Sequence, residues 1–244
     1  VSAAYLCDNL LNQMVMASDQ TEALNTYEKI IRGSIHFLSD EWKRKNGKFL
    51  HQEYITRFSA GLINLFADNW DIRLPRFDQE VHPDIMDIKK YFEELIATDG
   101  SQLTEKLLKR WSKKIEDAPL HYILTLMGQR FTSASARDIM ALPPSKETLL
   151  SSSFRMYNDQ ICMATRAWEK HIGRSDDHFW GEMIGSQLEK NEKVKALIVQ
   201  MIEEQTWWNI FFHYKHERVF EIRVASGHGV RWNGCGSEFI GFLE

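Results

Sequence analysis

The sequence lacks most of the features that name a protein's chemistry. Its three cysteines, Cys7, Cys162 and Cys235, are an odd number and far apart, and no two form a CxxC pair. That argues against a zinc ribbon, a thioredoxin-type site and a disulfide framework, and fits reduced thiols in the cytosol or nucleus. No GxSxG or HExxH occurs, so neither a hydrolase nucleophile elbow nor a zincin helix is indicated. No apolar run approaches the ~18 residues of a membrane span. Val1-Ser-Ala-Ala lacks the basic start of a signal peptide, and Asp8 interrupts the apolar stretch behind it. A formal net charge of −4 over 244 residues gives no global attraction to nucleic acid or an anionic membrane. The chain begins without Met and stops inside a strand pattern, so a segment of a longer protein is expected.

What is present reads mostly with helical period. Leu6, Leu10 and Met14 mark a helix over 3–17, and Asp19-Gln-Thr-Glu22 reads as a capping box opening the next, which carries Ile30, Ile31, Ile35 and Leu38. Tyr54, Phe58, Leu62, Leu65 and Phe66 form one broad apolar face of a helix from about 50 to 70. Asp71 to Val81 reads as an extended connector. Helices follow with Ile85, Ile88, Phe92, Leu95 and Ile96 inward, ended by Asp99-Gly100. Two more carry Leu103, Leu107, Leu108, Trp111 and Ile115, then Ile123, Leu124 and Met127.

Leu142-Pro-Pro-Ser-Lys146 breaks the pattern and divides the chain into a helical part, 1–142, and a second part, 143–244. Whether the two share one core is left open. The second part is expected to hold a helix over 154–171, an irregular segment from Gly173 to Gly185, and a long helix opened by a capping box at Ser186-Gln-Leu-Glu189. Near Glu217 the period becomes two, with Phe220, Ile222 and Val224 on one side and Glu221 and Arg223 on the other. Asn233-Gly234 is a hairpin signal. The expected fold is therefore mainly α: a multi-helical chain ending in a small three-stranded antiparallel β-meander.

Several places could hold chemistry, each with a plainer explanation. Around the turn Gly227-His228-Gly229, His228, Arg231 and Glu238 could supply a base, an anion clamp and an orienting carboxylate. The plainer account gives the glycines to tight turns and pairs Arg231 with Glu221 or Glu238 across strands. His171, Asp177 and His178 offer imidazole and carboxylate ligands for a divalent metal, though at no standard spacing; Asp176 and Asp177 would otherwise flank a loop. Lys106, Lys109, Arg110 and Lys113 make one helix side basic and could hold phosphate, or form an ordinary solvated face. Trp207, Trp208, Phe211 and Phe212, in the run Thr206 to Tyr214, could anchor a partner protein or pack inward.

With no catalytic or cofactor motif standing out, the expected function is an intracellular interaction or scaffold domain, cytoplasmic or nuclear, binding another protein. The alternatives are a metal-assisted hydrolase with its site between 171–182 and the glycine-rich C-terminal hairpins, and phosphate or nucleic-acid binding by the helix over 103–116. No particular cofactor is implied.

Overall fold

Apolar side chains at helical spacing account for the N-terminal unit. The computed structural model describes residues 21–67, 74–96, 103–174 and 177–244, the side chains of Glu94 and Ile96 excepted. The expected helix over 3–17 with Cys7, the start of the capping box at Asp19, Asp99-Gly100 and Asp176 lie outside the described residues. The chain divides into two units, Val1–Asp71 with Asp84–Met127, and Ile72–Pro83 with Gly128–Glu244.

The first unit is helical. After a helix over 21–34 (α1) come α2 (Asp40–Asn46), α3 (Gln52–Phe66), α4 (Ile85–Ile96), α5 (Glu105–Asp117) and α6 (Leu120–Leu126). Phe58, Leu62 and Leu65 of α3 are buried together with Ile88, Phe92, Trp111 and Leu124. Gly61 permits the close approach of α3 and α6, because a Cβ there would stand 1.8 Å from the Leu126 carbonyl oxygen.

The second unit is organised by a sheet. Four strands, β3 (Trp207–His213), β4 (Glu217–Arg223), β5 (Gly229–Asn233) and β6 (Phe239–Leu243), pair antiparallel in sequence order. A separate short ladder joins β1 (Glu80–Val81) to β2 (Phe131–Thr132). Helices α7 (Lys146–Ser153), α8 (Met163–Ile172) and α9 (Gln187–Glu203) pack on one face of the large sheet. On that face aromatic rings meet from strand to strand: Trp208 with Phe220, Phe220 with Trp232, and Trp232 with Phe239, at centroid separations of 6.1, 6.0 and 5.7 Å. Trp232 is fully buried, and its indole N–H donates to the Ser153 hydroxyl at 3.0 Å. The α9 start is fixed by a capping box, with Ser186 and Glu189 each satisfying the other's backbone N–H.

The fold is thus mixed α/β with a four-stranded sheet, and not a mainly α chain ending in a three-stranded meander. The additional strand is β3, the aromatic run that sequence period assigns to the end of a helix. Its alternation is hidden because Trp207, Trp208, Asn209 and Ile210 are all buried and large aromatic rings fall on both faces, so the polar Asn209 and His213 do not stand out as one solvated side. The helix expected over 154–171 also begins later, at Met163. Ahead of it the Asn158 side chain accepts from the backbone N–H groups of Gln160 and Ile161, each at 2.9 Å, and holds a turn.

Removing the central indole of the aromatic row should be costly. Trp232→Ala is expected to lower the stability of the second unit by about 3–5 kcal/mol, measured by urea denaturation followed by tryptophan fluorescence.

Candidate active site on the polar face of the sheet

Cross-strand register assembles the site. Asn209 stands opposite Glu221, Glu221 opposite Arg231, and Arg231 opposite Gly241, so the four form one row across the sheet. Residues directly opposite in a ladder share a face, and here it is the face turned away from α7–α9. The neighbouring row brings Trp207, Arg223, Gly229 and Leu243 to the same side, and His213 lies further along β3.

At the centre is a buried carboxylate held by two guanidiniums. The Glu221 side chain is only 4% exposed. Its Oε1 accepts from Arg223 Nε at 2.7 Å, and its Oε2 accepts from Arg231 Nε at 2.9 Å and Nη2 at 2.5 Å. Such pairing is what allows a carboxylate to be buried. The three groups together carry one surplus positive charge. The remaining Arg223 Nη1 donates to the carbonyls of Gly227 and Glu244, each at 2.7 Å. Arg231 is directed the other way, with Nη1 3.1 Å from His213 Nε2.

His213 has an unusual environment. Its Nδ1 accepts from the Lys215 backbone N–H at 3.2 Å, while its Nε2 faces the Arg231 guanidinium. Both ring nitrogens therefore meet donors, and a neutral imidazole can accept at only one of them. A protonated ring could accept at neither. Desolvation, followed by the charges of Arg231, His216 and Lys215, holds its pKa below the ordinary histidine value, with Glu221 opposing. These influences favour the neutral imidazole, the form with a free lone pair, over the protonated one.

The outer edge of β3 is covered by the segment 128–136, which pairs with it through Arg130 N–H to Trp208 O (3.1 Å), Ala136 N–H to Ile210 O (2.8 Å) and Phe212 N–H to Ala134 O (3.3 Å). From this segment Gln129 donates to the Asn209 carbonyl at 3.0 Å, and Asn209 donates to the Ser135 hydroxyl at 2.7 Å. Asn209 is fully buried, so the network fixes one end of the row. At the other end, a Cβ on Gly241 would meet nothing within 4 Å, which leaves open space beside Arg231. Phe77 packs edge-on against Trp207 and beneath the Arg223 guanidinium. The Trp207 indole N–H donates to Glu80, which also pairs with Arg130.

The residues singled out from sequence are distributed differently. His228, Arg231 and Glu238 do not form one group. His228 is bonded to Asp177 (Nε2 to Oδ2, 2.6 Å) and Ser226 (Nδ1 to Oγ, 2.8 Å), and stacks on Phe179 at 3.7 Å. Its hydrogen bond is the main reason that the Asp177 carboxyl lies below the usual range. Glu238 lies in the β5–β6 turn, where its N–H donates to the Asn233 side chain. Of the proposed metal ligands, His171 packs against Trp180 and lies 3.6 Å from Glu244. Asp177 is bonded to His228, and His178 is exposed. Among the described residues no group of three or more His, Cys, Asp or Glu side chains is placed to hold a metal ion.

Lys106, Lys109, Arg110 and Lys113 line an open groove of about 780 Å³ within the first unit, where Lys109 pairs with Glu105 and Lys113 with Asp117. Of the aromatic run, Trp207 and Trp208 are buried, Phe211 is half-buried beside Arg231, and Phe212 is 70% exposed. Sequence reasoning missed His213 and Asn209 and treated Glu221 only as an ion-pair partner. The signal available was period two within the aromatic run, Trp207, Asn209, Phe211 and His213.

Residues 150–244 match the family model of the CdiA C-terminal tRNase toxin domain, which is less than half of the chain. A crystal structure of the toxic C-terminal tip of CdiA from Pseudomonas aeruginosa, in complex with an immune protein, is 26% identical, with a TM-score of 0.35. The match covers 38% of this chain and 99% of that one. No curated protein matches. The family match overturns the expectation of an interaction scaffold: the segment carrying the buried Glu221 cluster is similar to toxin nuclease domains.

Proposed function

We propose that the second unit is an RNA-cleaving toxin domain, with tRNA as the first substrate to test, acting at the Arg231–His213–Glu221 face. The observation that carries the reading is that the tRNase family match spans every member of this cluster, namely His213, Glu221, Arg223 and Arg231. The local chemistry supports it. A phosphodiester carries one negative charge, the Glu221–Arg223–Arg231 cluster has one positive charge in excess, and Arg231 Nη1 is turned away from Glu221 toward His213.

In this reading the phosphate draws Arg231 Nη1 away from His213, the ring carries its proton on Nδ1 in place of the bond from the Lys215 N–H, and Nε2 acts as the general base. His213 takes the proton of the ribose 2′-hydroxyl as that oxygen attacks the adjacent phosphorus. The bond from phosphorus to the 5′ oxygen breaks, the leaving oxygen takes a proton from water, and His213 later returns its proton to solvent. The products are a 2′,3′-cyclic phosphate and a 5′-hydroxyl. Glu221 is a positioning residue that keeps both guanidiniums aimed. A toxic nuclease endangers the cell that makes it, so a protein partner that covers this face belongs to the same proposal. So does an intracellular place of action, where tRNA is met.

His213→Ala is expected to lower kcat/KM on tRNA by about 10²–10⁴-fold, the usual worth of a general base, with the circular dichroism spectrum unchanged; a variant as fast as the parent would end this assignment.

The neutral imidazole is the active form, so cleavage should rise with pH through a midpoint below the ordinary histidine value. Arg231→Gln removes a cation that lowers this pKa. The rising limb of the kcat/KM profile should therefore move to higher pH, alongside a loss of rate.

Glu221→Ala leaves two guanidiniums without their buried counter-charge, and should cost about 3–5 kcal/mol of stability in urea denaturation.

A further inference from the structure

The β3–β4 hairpin tip carries a set of rings that the cleavage chemistry does not use. Tyr214 is 81% exposed, an unusual position for a large aromatic ring. Its ring stacks with that of His213 at 4.8 Å and 30° between planes. His213 in turn stacks with His216 at 5.2 Å and 26°. The Lys215 ammonium lies 5.2 Å from the Tyr214 ring centroid. The turn is set by the Lys215 N–H donating to His213 Nδ1 and the His216 N–H donating to the His213 carbonyl at 3.2 Å. An exposed π-surface with a cation beside it therefore adjoins the imidazole that faces Arg231.

We propose that Tyr214 is a base-stacking subsite, taking the unpaired nucleobase next to the phosphate that Arg231 holds. The inference rests on the RNA-cleavage reading above and deepens it by naming the substrate feature read at the site. Exposed aromatic rings beside basic groups are how proteins hold unpaired bases, since every base has a π-face and no sequence-specific edge contact is needed. A base seated on Tyr214 takes the place of the Lys215 ammonium, which is then available to the adjoining phosphate. The consequence is a preference for loops and single-stranded ends over duplex RNA, because a paired base cannot leave its stack to reach the ring.

The test is equilibrium binding of a short single-stranded oligonucleotide made uncleavable by 2′-O-methyl groups, compared with versions that are abasic at each position in turn. Fluorescence anisotropy reads affinity without depending on cleavage. The unaltered chain should bind the full oligonucleotide roughly 10-fold more tightly than one abasic version, in the range of a single base–aromatic stack. Tyr214→Ala should erase that difference, and Tyr214→Phe and Tyr214→Trp should keep it. The proposal is overturned if Tyr214→Ala binds as tightly as the parent, if it weakens full and abasic oligonucleotides alike, or if the unaltered chain binds none of them. Retained cleavage of tRNA with no Tyr214-dependent discrimination would remove the subsite and leave the nuclease reading standing. Discrimination without any cleavage would do the reverse.

Discussion

The second unit depends on one ion-paired carboxylate. Glu221 sits at the middle of β4, nearly free of solvent, with Arg223 on one side and Arg231 on the other. A lone carboxylate there would be driven to neutralise, and two lone guanidiniums would repel each other. Each group therefore makes the burial of the others tolerable. The arrangement is a costly way to stabilise a sheet, since apolar residues in the same row would serve stability at least as well. Its distinctive product is a pair of aimed cations with one positive charge in excess, next to an imidazole whose pKa is lowered by burial and by Arg231 itself.

The sheet works because its two faces differ. One presents the aromatic row from Trp208 to Phe239 to the helices and supplies the rigidity. The other carries Asn209, Glu221 and Arg231 in a single row, with the Asn209 end tied to Gln129 and Ser135. Groups on paired strands cannot drift apart without breaking the ladder, so the site inherits the precision of the backbone register. The β3–β4 hairpin then brings His213 and Tyr214 to the edge of that row, where Arg231 reaches the imidazole.

Helices α3 to α6, the α9 capping box and the last three strands were legible because period and turn chemistry are local signals; α2 is too polar and α7 too serine-rich to show an apolar stripe. Ser186 and Glu189 are three residues apart, and Asn233-Gly234 is a dipeptide. The site was not legible in the same way. Glu221 and Arg231 are ten positions apart, Asn209 lies on another strand, and Gln129 is further still; only register brings them together. Histidines and acidic pairs drew the sequence reading toward His228 and Asp177, which do meet, but with each other and with Ser226. His213 stayed hidden inside an aromatic run whose large rings fall on both faces of the strand. The nuclease reading itself came from the family match over 150–244, and no motif in the chain announces it.

The most direct test of the account is the chemistry of the ends produced when the chain acts on tRNA, resolved by mass spectrometry of the fragments. Attack by the 2′-hydroxyl with His213 as base predicts 2′,3′-cyclic phosphate and 5′-hydroxyl ends. Intact tRNA, or fragments ending in 3′-hydroxyl and 5′-phosphate, would contradict it.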